Sequence, residues 1–282
     1  MAEPEIRAGQ SIELLKALHI LTRDGKMNQD SRRKLKQVYH LYQFIEPLLL
    51  QLNELQRPFS LVDHGAGKSY LGFILYDLFF KQHDNGAVLH GIELREELVS
   101  RARQLAEQLG FERMRFHHVS VAEAIASNDL PEHVELVTAL HACDTATDDA
   151  ISFALNKRAR FIVLVPCCQA EVAAQLRRVK GRALARDALS EIWRHPLHTR
   201  EFGSHLTNVL RCLQLEAHGY QLTVTELVGW EHSMKNELII ATNKQLPGQR
   251  AAQRLKQVIT ETGLEDLQQR FWVPERALSA AD

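Results

Sequence analysis

Cysteine is scarce and unpatterned in this sequence. Cys143, Cys167, Cys168 and Cys212 are the four present. They form no C-x-x-C pair and no zinc-ligand spacing, so free thiols in a reducing cytoplasm are the expected state. An excess of either charge is also lacking. Thirty-four Lys and Arg face 35 Asp and Glu, for a net charge of −1. That excludes a globally basic nucleic-acid binder and leaves only local patches for such contacts. No apolar run is long enough to cross a membrane. The opening Met-Ala-Glu-Pro-Glu-Ile-Arg is charged and has no leader-like apolar stretch. Internal repeats and low-complexity linkers are absent. What remains for 282 residues is one large α/β domain with additions.

The most informative stretch present is Ser60-Leu61-Val62-Asp63-His64-Gly65-Ala66-Gly67-Lys68-Ser69-Tyr70-Leu71. An apolar run ends in an acid, a turn with two glycines follows, and a helical pattern opens at Tyr70. A strand, a tight turn and a helix start form a cradle for a nucleotide-like group, because glycine exposes bare backbone and the helix start offers unpaired N–H groups. A phosphate loop, G-x-x-x-x-G-K-[ST], fits the end at Gly67-Lys68-Ser69, but its first glycine would fall on Val62 inside the strand. A dinucleotide fingerprint fits Gly65 and Gly67 but meets Tyr70 where a small residue is required. The following strand, Ala87 to Glu93, is apolar and again ends in an acid, which suits a carboxylate accepting two ribose hydroxyls. Glu93 has the alternative of capping the next helix.

Around this unit, strand-like runs at 59–63, 87–92, 114–119, 134–140 and 161–165 alternate with helical patterns, which argues for a parallel sheet covered on both faces. Strands at 220–228 and 236–242 are joined by a link too short for anything but an antiparallel hairpin. Helices are expected over 11–22 and 31–56, the second capped by Asp30 or Ser31 and kinked or split at Pro47. A helical insertion over 169–195, a helix over 204–218 ending at Gly219, and a terminal helix over 248–270 complete the pattern. The expected organisation is an N-terminal helical segment (1–57), a catalytic domain (58–245) with its insertion at 169–218, and a C-terminal helical tail (246–282).

Asp63-His64-Gly65-Ala66-Gly67-Lys68-Ser69 resembles the E/D-x-G-x-G-x-G/S motif of class I S-adenosylmethionine-dependent methyltransferases. Further segments narrow the resemblance: Leu140-His141-Ala142-Cys143-Asp144-Thr145-Ala146-Thr147-Asp148, Pro166-Cys167-Cys168, and His232-Ser233-Met234-Lys235-Asn236-Glu237-Leu238-Ile239-Ile240-Ala241. Together they resemble a methyltransferase-domain family with the signatures DFGAGKG, LHxCGxATD, a Cys-Cys pair and HTPKNxLIxA. That family includes eukaryotic tRNA ribose 2′-O-methyltransferases. The resemblance runs from about Ser31 to Asn243. It implies a Rossmann-like sheet of seven strands, mostly parallel, closed by an antiparallel hairpin. S-adenosyl-L-methionine is the implied cofactor. Gly65 and Gly67 would face its methionine part, Asp63 its amino end, Glu93 its ribose and Ser120 its adenine. The chain departs from the family at Asp144, where relatives carry Gly, at His64 and at Met234.

The implied chemistry is in-line methyl transfer, in which positioning dominates and a base helps a poor nucleophile. A ribose 2′-hydroxyl would draw on His141, Asp144, Lys235 or Lys34, with His232 as a further candidate. The absence of [DNS]-P-P-[YF] after the fourth strand speaks against exocyclic-amine methylation. Cys167 leaves open pyrimidine C5 methylation through a thiolate. RNA, either rRNA or tRNA, is the expected substrate class. The resemblance points there, as do the basic clusters Arg32, Arg33, Lys34, Lys36 and Arg177, Arg178, Lys180, Arg182, Arg186. A small-molecule or protein acceptor on the same fold, and a non-catalytic binding module, are the alternatives.

Overall fold

The computed structural model describes residues 6–7, 9–140, 142–166, 169–184, 188–227 and 237–277. Seven strands form one sheet in the order β3-β2-β1-β4-β5-β7-β6. They are β1 Ser60–His64, β2 Val88–Glu93, β3 Met114–His118, β4 Leu136–Leu140, β5 Phe161–Val165, β6 Tyr220–Glu226 and β7 Glu237–Asn243. The first five pair in parallel, and β7 joins both β5 and β6 antiparallel. Every expected strand is present. The residues linking β6 to β7 fall within 228–236, outside the described ones. β5 is apolar throughout because helices cover both faces of the sheet, and all five of its residues are buried.

The strand order reverses between β1 and β4. The crevice beyond the carboxyl ends of those two strands is where an open α/β sheet holds its ligand. The connections that shape it are the helices α3 Tyr70–Leu78, α4 Glu96–Gln108, α5 Val121–Ala126 and α6 Thr145–Asn156.

The N-terminal helices differ from expectation in detail. α1 is short, Ile12–Ala17, and α2 runs Gln29–Asn53. The cap of α2 is Asn28, whose Oδ1 accepts the Ser31 N–H at 2.8 Å, rather than Asp30 or Ser31. Ser31 instead donates its hydroxyl to the His19 carbonyl at 3.3 Å. Pro47 does not split α2. Pro47 and Gln43 both lie on its exposed side, so the carbonyl that proline strands is open to water. The buried stripe of Ile45, Leu48, Leu49 and Leu52 holds the turn together, against a cost of about 3 kcal/mol for an interior proline.

Beyond β5, α7 Glu171–Leu184 is followed by a 3-10 turn, Ala188–Trp193. Then α8 spans Pro196–Ala217, starting earlier than its expected 204, with proline in the first turn where no N–H is needed. Gly219 follows with φ +91°, where a Cβ would press on Gln245 and Leu246 backbone atoms. α9 Gln249–Thr262 is shorter than the expected terminal helix. α7 and α8 approach closely at Gly203, where a Cβ would lie 2.7 Å from Ala173 Cα and 2.8 Å from its nitrogen.

Gly203→Ala is therefore expected to lower stability by about 1–2 kcal/mol in urea unfolding at unchanged m-value. The overpacking outweighs the roughly 1 kcal/mol that alanine gains over glycine inside a helix.

Candidate active site at the carboxyl edge of the sheet

Asp63 is the fourth residue of β1, opposite Gly91 of β2 and Thr138 of β4. Its side chain is 2 % exposed. Oδ1 accepts the Thr138 hydroxyl at 2.8 Å, and the carboxyl also takes the Gly72 N–H from the first turn of α3. One acid thus ties two strands to a helix start, whose unpaired donors it serves. Burial pushes its pKa up to about 7, against the lowering effect of those two hydrogen bonds. The empty protein therefore gains from a proton here. That gain is complete below the unfolded carboxyl value of 3.8 and is lost as pH rises through about 7.

The turn after Asp63 reverses through Gly65 (φ +65°) and Gly67 (φ +57°). Both conformations favour glycine. The Ala66 N–H is held by the Ile92 carbonyl at 3.0 Å, which fixes the turn against the end of β2. A Cβ on Gly65 would lie 3.6 Å from Ala142 Cβ, so the loops after β1 and β4 face each other across the crevice. Glu93 closes β2. Its Oε2 accepts the Gly67 N–H at 2.8 Å and its Oε1 the Arg95 N–H at 3.1 Å. The Arg95 guanidinium adds Nε–H to Oε1 at 2.9 Å and Nη2 to Oε2 at 3.2 Å. Burial alone would raise the Glu93 pKa; the Arg95 and Gly67 bonds hold it below the ordinary carboxylate value. Glu93 also meets the start of α4, because the N–H that Oε1 accepts is that of the cap residue Arg95, whose own side chain makes no capping bond.

His64 points to the other face of β1. Its ring packs against Phe153 at 6.0 Å, and neither ring nitrogen has a partner. Burial lowers its pKa to about 4, so it is a neutral ring in an aromatic slot. Ser120 caps α5 in a reciprocal box with Glu123.

At the mouth of β4, Asp144 has φ 50° and ψ −120°, a region that glycine favours and other residues enter at a cost of about 1–3 kcal/mol. Its surroundings hold it there. Oδ1 accepts the Ala170 N–H at 2.9 Å and the Glu171 N–H at 3.3 Å, joining this loop to the start of α7. Its carbonyl accepts Arg211 Nη2 at 2.8 Å. Arg211 is fully buried and pairs with Asp148 at 2.6 Å and 2.9 Å. Thr147 donates to the Ala142 carbonyl at 2.5 Å. Three residues of the expected signature, Asp144, Thr147 and Asp148, thus brace one loop.

Lys34 stands exposed on the first turns of α2. That end of α2 is linked to the start of α3, which follows the glycine turn. Tyr70, the first residue of α3, donates to the Leu18 carbonyl at 2.7 Å, and the next residue, His19, accepts from Ser31. His141, Lys235, His232, Cys167 and Cys168 lie outside the described residues. Burial pushes the Cys212 thiol up to about 12, which removes it as a nucleophile at neutral pH. Sequence reasoning missed Arg95 and Leu94. Leu94 is 67 % exposed next to Glu93, and the pattern that signals both is the pair of residues directly after an acid at a strand end.

A family model described as a methyltransferase domain matches residues 33–175, half of the chain. No curated protein matches. Among solved structures, M. capricolum TrmK in complex with S-adenosylhomocysteine is 11% identical with a TM-score of 0.40, covering 70% of this chain and 69% of its own. The magnesium protoporphyrin IX methyltransferase of Synechocystis PCC 6803, with the same compound bound, is 15% identical with a TM-score of 0.46, covering 83% and 95%. An rRNA methylase from Streptococcus thermophilus is 10% identical with a TM-score of 0.40, covering 66% and 87%. No helix among the described residues is long and apolar enough to cross a membrane. By the family match and by its sheet order, the chain belongs to the methyltransferase-domain family and is a class I S-adenosylmethionine-dependent methyltransferase.

Proposed function

We propose that this enzyme transfers a methyl group from S-adenosylmethionine to RNA, with a ribose 2′-oxygen as the favoured acceptor. The observation that carries the cofactor half is the pair of acids Asp63 and Glu93 on either side of the Gly65–Gly67 turn, at the ends of neighbouring strands. The donor set fits the cofactor. Asp63 suits its ammonium group, Glu93 its sugar hydroxyls, and the glycines leave room for its methionine chain. Leu94 offers an exposed apolar face to the base, with Ser120 at the end of the adjacent strand. The bound cofactor supplies an activated methyl on sulfur; the protein's work is to orient the acceptor and relieve it of a proton.

RNA is supported by the basic first turns of α2. Arg32, Arg33, Lys34 and Lys36 are all exposed there, on the end of α2 linked to the start of α3, where phosphate contacts are possible. Lys34 is the candidate for proton removal or phosphate contact among the described residues. His141 and Lys235 are the candidates outside them. Asp144 contributes to the acceptor side of the crevice through the loop that it fixes.

Three measurements test this reading. Calorimetric binding of S-adenosylhomocysteine is expected to weaken by about 1–3 kcal/mol in Asp63→Ala and in Glu93→Ala, the scale of a lost charge-assisted hydrogen bond. Unchanged affinity in both variants would discard the site. The pH dependence has a definite sign. An ammonium on Asp63 favours the carboxylate, and the empty site holds a proton up to about pH 7. Affinity should therefore rise as pH rises through about 7, with proton release, and Asp63→Asn should flatten that rise. The acceptor is read from nucleosides of RNA from a deletion strain. Loss of one 2′-O-methylated nucleoside is expected; an unchanged nucleoside profile counts against RNA.

A second expectation concerns Asp144. Asn keeps an acceptor for the α7 donors, so Asp144→Asn should fall within about 0.5 kcal/mol of wild-type stability. Asp144→Ala keeps the strained backbone and loses the bonds, and should lose about 1–2 kcal/mol in urea unfolding.

A further inference from the structure

Arg95 lies where a sugar would have to go. The Glu93 carboxylate receives four hydrogen bonds, two at each oxygen, from the Gly67 and Arg95 N–H groups and from Arg95 Nε and Nη2. An ionised carboxylate offers about four lone-pair positions, so all are filled. The side chain of Glu93 is 9 % exposed, which leaves no free face for a second set of donors. Two of the four donors are main-chain groups of the turn and of the α4 cap, and they cannot leave without rebuilding the site. The other two belong to a guanidinium whose side chain is 63 % exposed and can rotate into water. That guanidinium also reaches over the glycine turn: a Cβ on Gly67 would lie 3.8 Å from Arg95 Nη2.

We propose that Arg95 is a displaceable stand-in for the cofactor's ribose, resting on the reading of Glu93 as the ribose acceptor. In the free enzyme it neutralises the half-enclosed carboxylate. On cofactor binding the two sugar hydroxyls take over the bonds that Nε and Nη2 made, and the guanidinium swings out to the rim of the crevice. Arg95 is then a determinant of cofactor affinity with inverted sign: removing it strengthens binding. The strengthening has two sources. The competitor is gone, and in the free enzyme the carboxylate keeps its two main-chain donors but has two open acceptor positions that the hydroxyls fill.

The test is calorimetric titration of the full chain with S-adenosylhomocysteine. Arg95→Ala should bind about two- to tenfold more tightly than wild type, the range that a partly exposed ion pair can withhold. Arg95→Lys should fall between them, because an ammonium cannot fork across both oxygens. Glu93→Ala with Arg95→Ala should bind no more tightly than Glu93→Ala alone, since the competitor has lost its target. Equal or weaker binding in Arg95→Ala, or the same gain with Glu93 absent, overturns the proposal. If wild type binds and Arg95→Ala does not improve on it, the Arg95 role alone falls. If Glu93→Ala binds as wild type does, the ribose reading falls with it. Should Arg95→Ala fold poorly, Arg95→Gln carries the same expectation, and a larger rise in melting temperature on adding S-adenosylhomocysteine than wild type shows is the matching readout.

Discussion

Two carboxylates have to be kept in one crevice with little water. That constraint organises the carboxyl edge of the sheet. Burying an unpaired charge is costly, so each acid needs a partner or a proton. The protein solves the two cases differently. Asp63, at 2 % exposure, sits on neutral donors from Thr138 and Gly72 and is left to hold a proton up to about pH 7. Glu93 stays ionised because Arg95 and the Gly67 N–H hold it. A ligand with a cation at one end and hydroxyls in its middle replaces both solutions at once. The glycine turn between the acids is fixed by the same bonds, through Glu93 to Gly67 and through Asp63 to the helix that follows. The acids therefore shape the cradle as well as line it.

The opposite wall of the crevice is built on a strained residue. Asp144 adopts a backbone conformation natural to glycine, and relatives of the resembled family carry glycine there. The substitution replaces freedom with connection. The side chain that makes the conformation costly also supplies the oxygen that meets the start of α7. Arg211 anchors the same loop from below, through the Asp144 carbonyl and the Asp148 carboxylate. A buried arginine with an acid and two further acceptors, Asn208 among them, is well satisfied. Such a loop is preorganised rather than adaptable, which suits a reaction in which placing the acceptor is most of the catalysis.

Much of this was legible in the sequence, and the rest was hidden for identifiable reasons. All seven strands could be read: the five parallel ones as short runs between breakers, and β6 and β7 by the short link that forces a hairpin. Asp63 and Glu93 could be read as well, since each ends such a run. The start of α2 was misplaced because Asn28 caps two residues ahead of Asp30 and three ahead of Ser31, the expected caps. Pro47 misled because propensity knows nothing of the buried stripe opposite it. Arg95 was invisible as a partner of Glu93, because two adjacent charges say nothing about whether they fold back on each other. Likewise Asp148 and Arg211 are 63 positions apart, and no local pattern joins them. The signature containing Asp148 could be matched, but the brace that it forms is a fact of three-dimensional packing.

The acceptor side follows from lengths. Asn208 donates to Glu237, the first residue of β7, at 2.8 Å, which marks where α8 passes the carboxyl edge of the sheet. The residues of α8 before that point, Pro196 to Thr207, extend about 18 Å at 1.5 Å per residue. α7 packs on this part of α8 at Gly203 and starts at Asp144. The two helices therefore rise as a wall from the loop that Asp144 fixes, on the far side of the crevice from the basic start of α2. A cofactor lying over β1 and β2 would leave the space between wall and α2 for the acceptor. The α2 rim of that space carries the exposed cations Arg32, Arg33, Lys34 and Lys36 together with one exposed acid, Asp30, which lies 3.7 Å from Arg33. On the proposed reading, an acceptor carrying phosphates would meet those cations at the rim, while Asp63 and Glu93 below would serve the cofactor. A net charge of −1 is compatible with such a substrate where cations cluster locally, as they do on the first turns of α2.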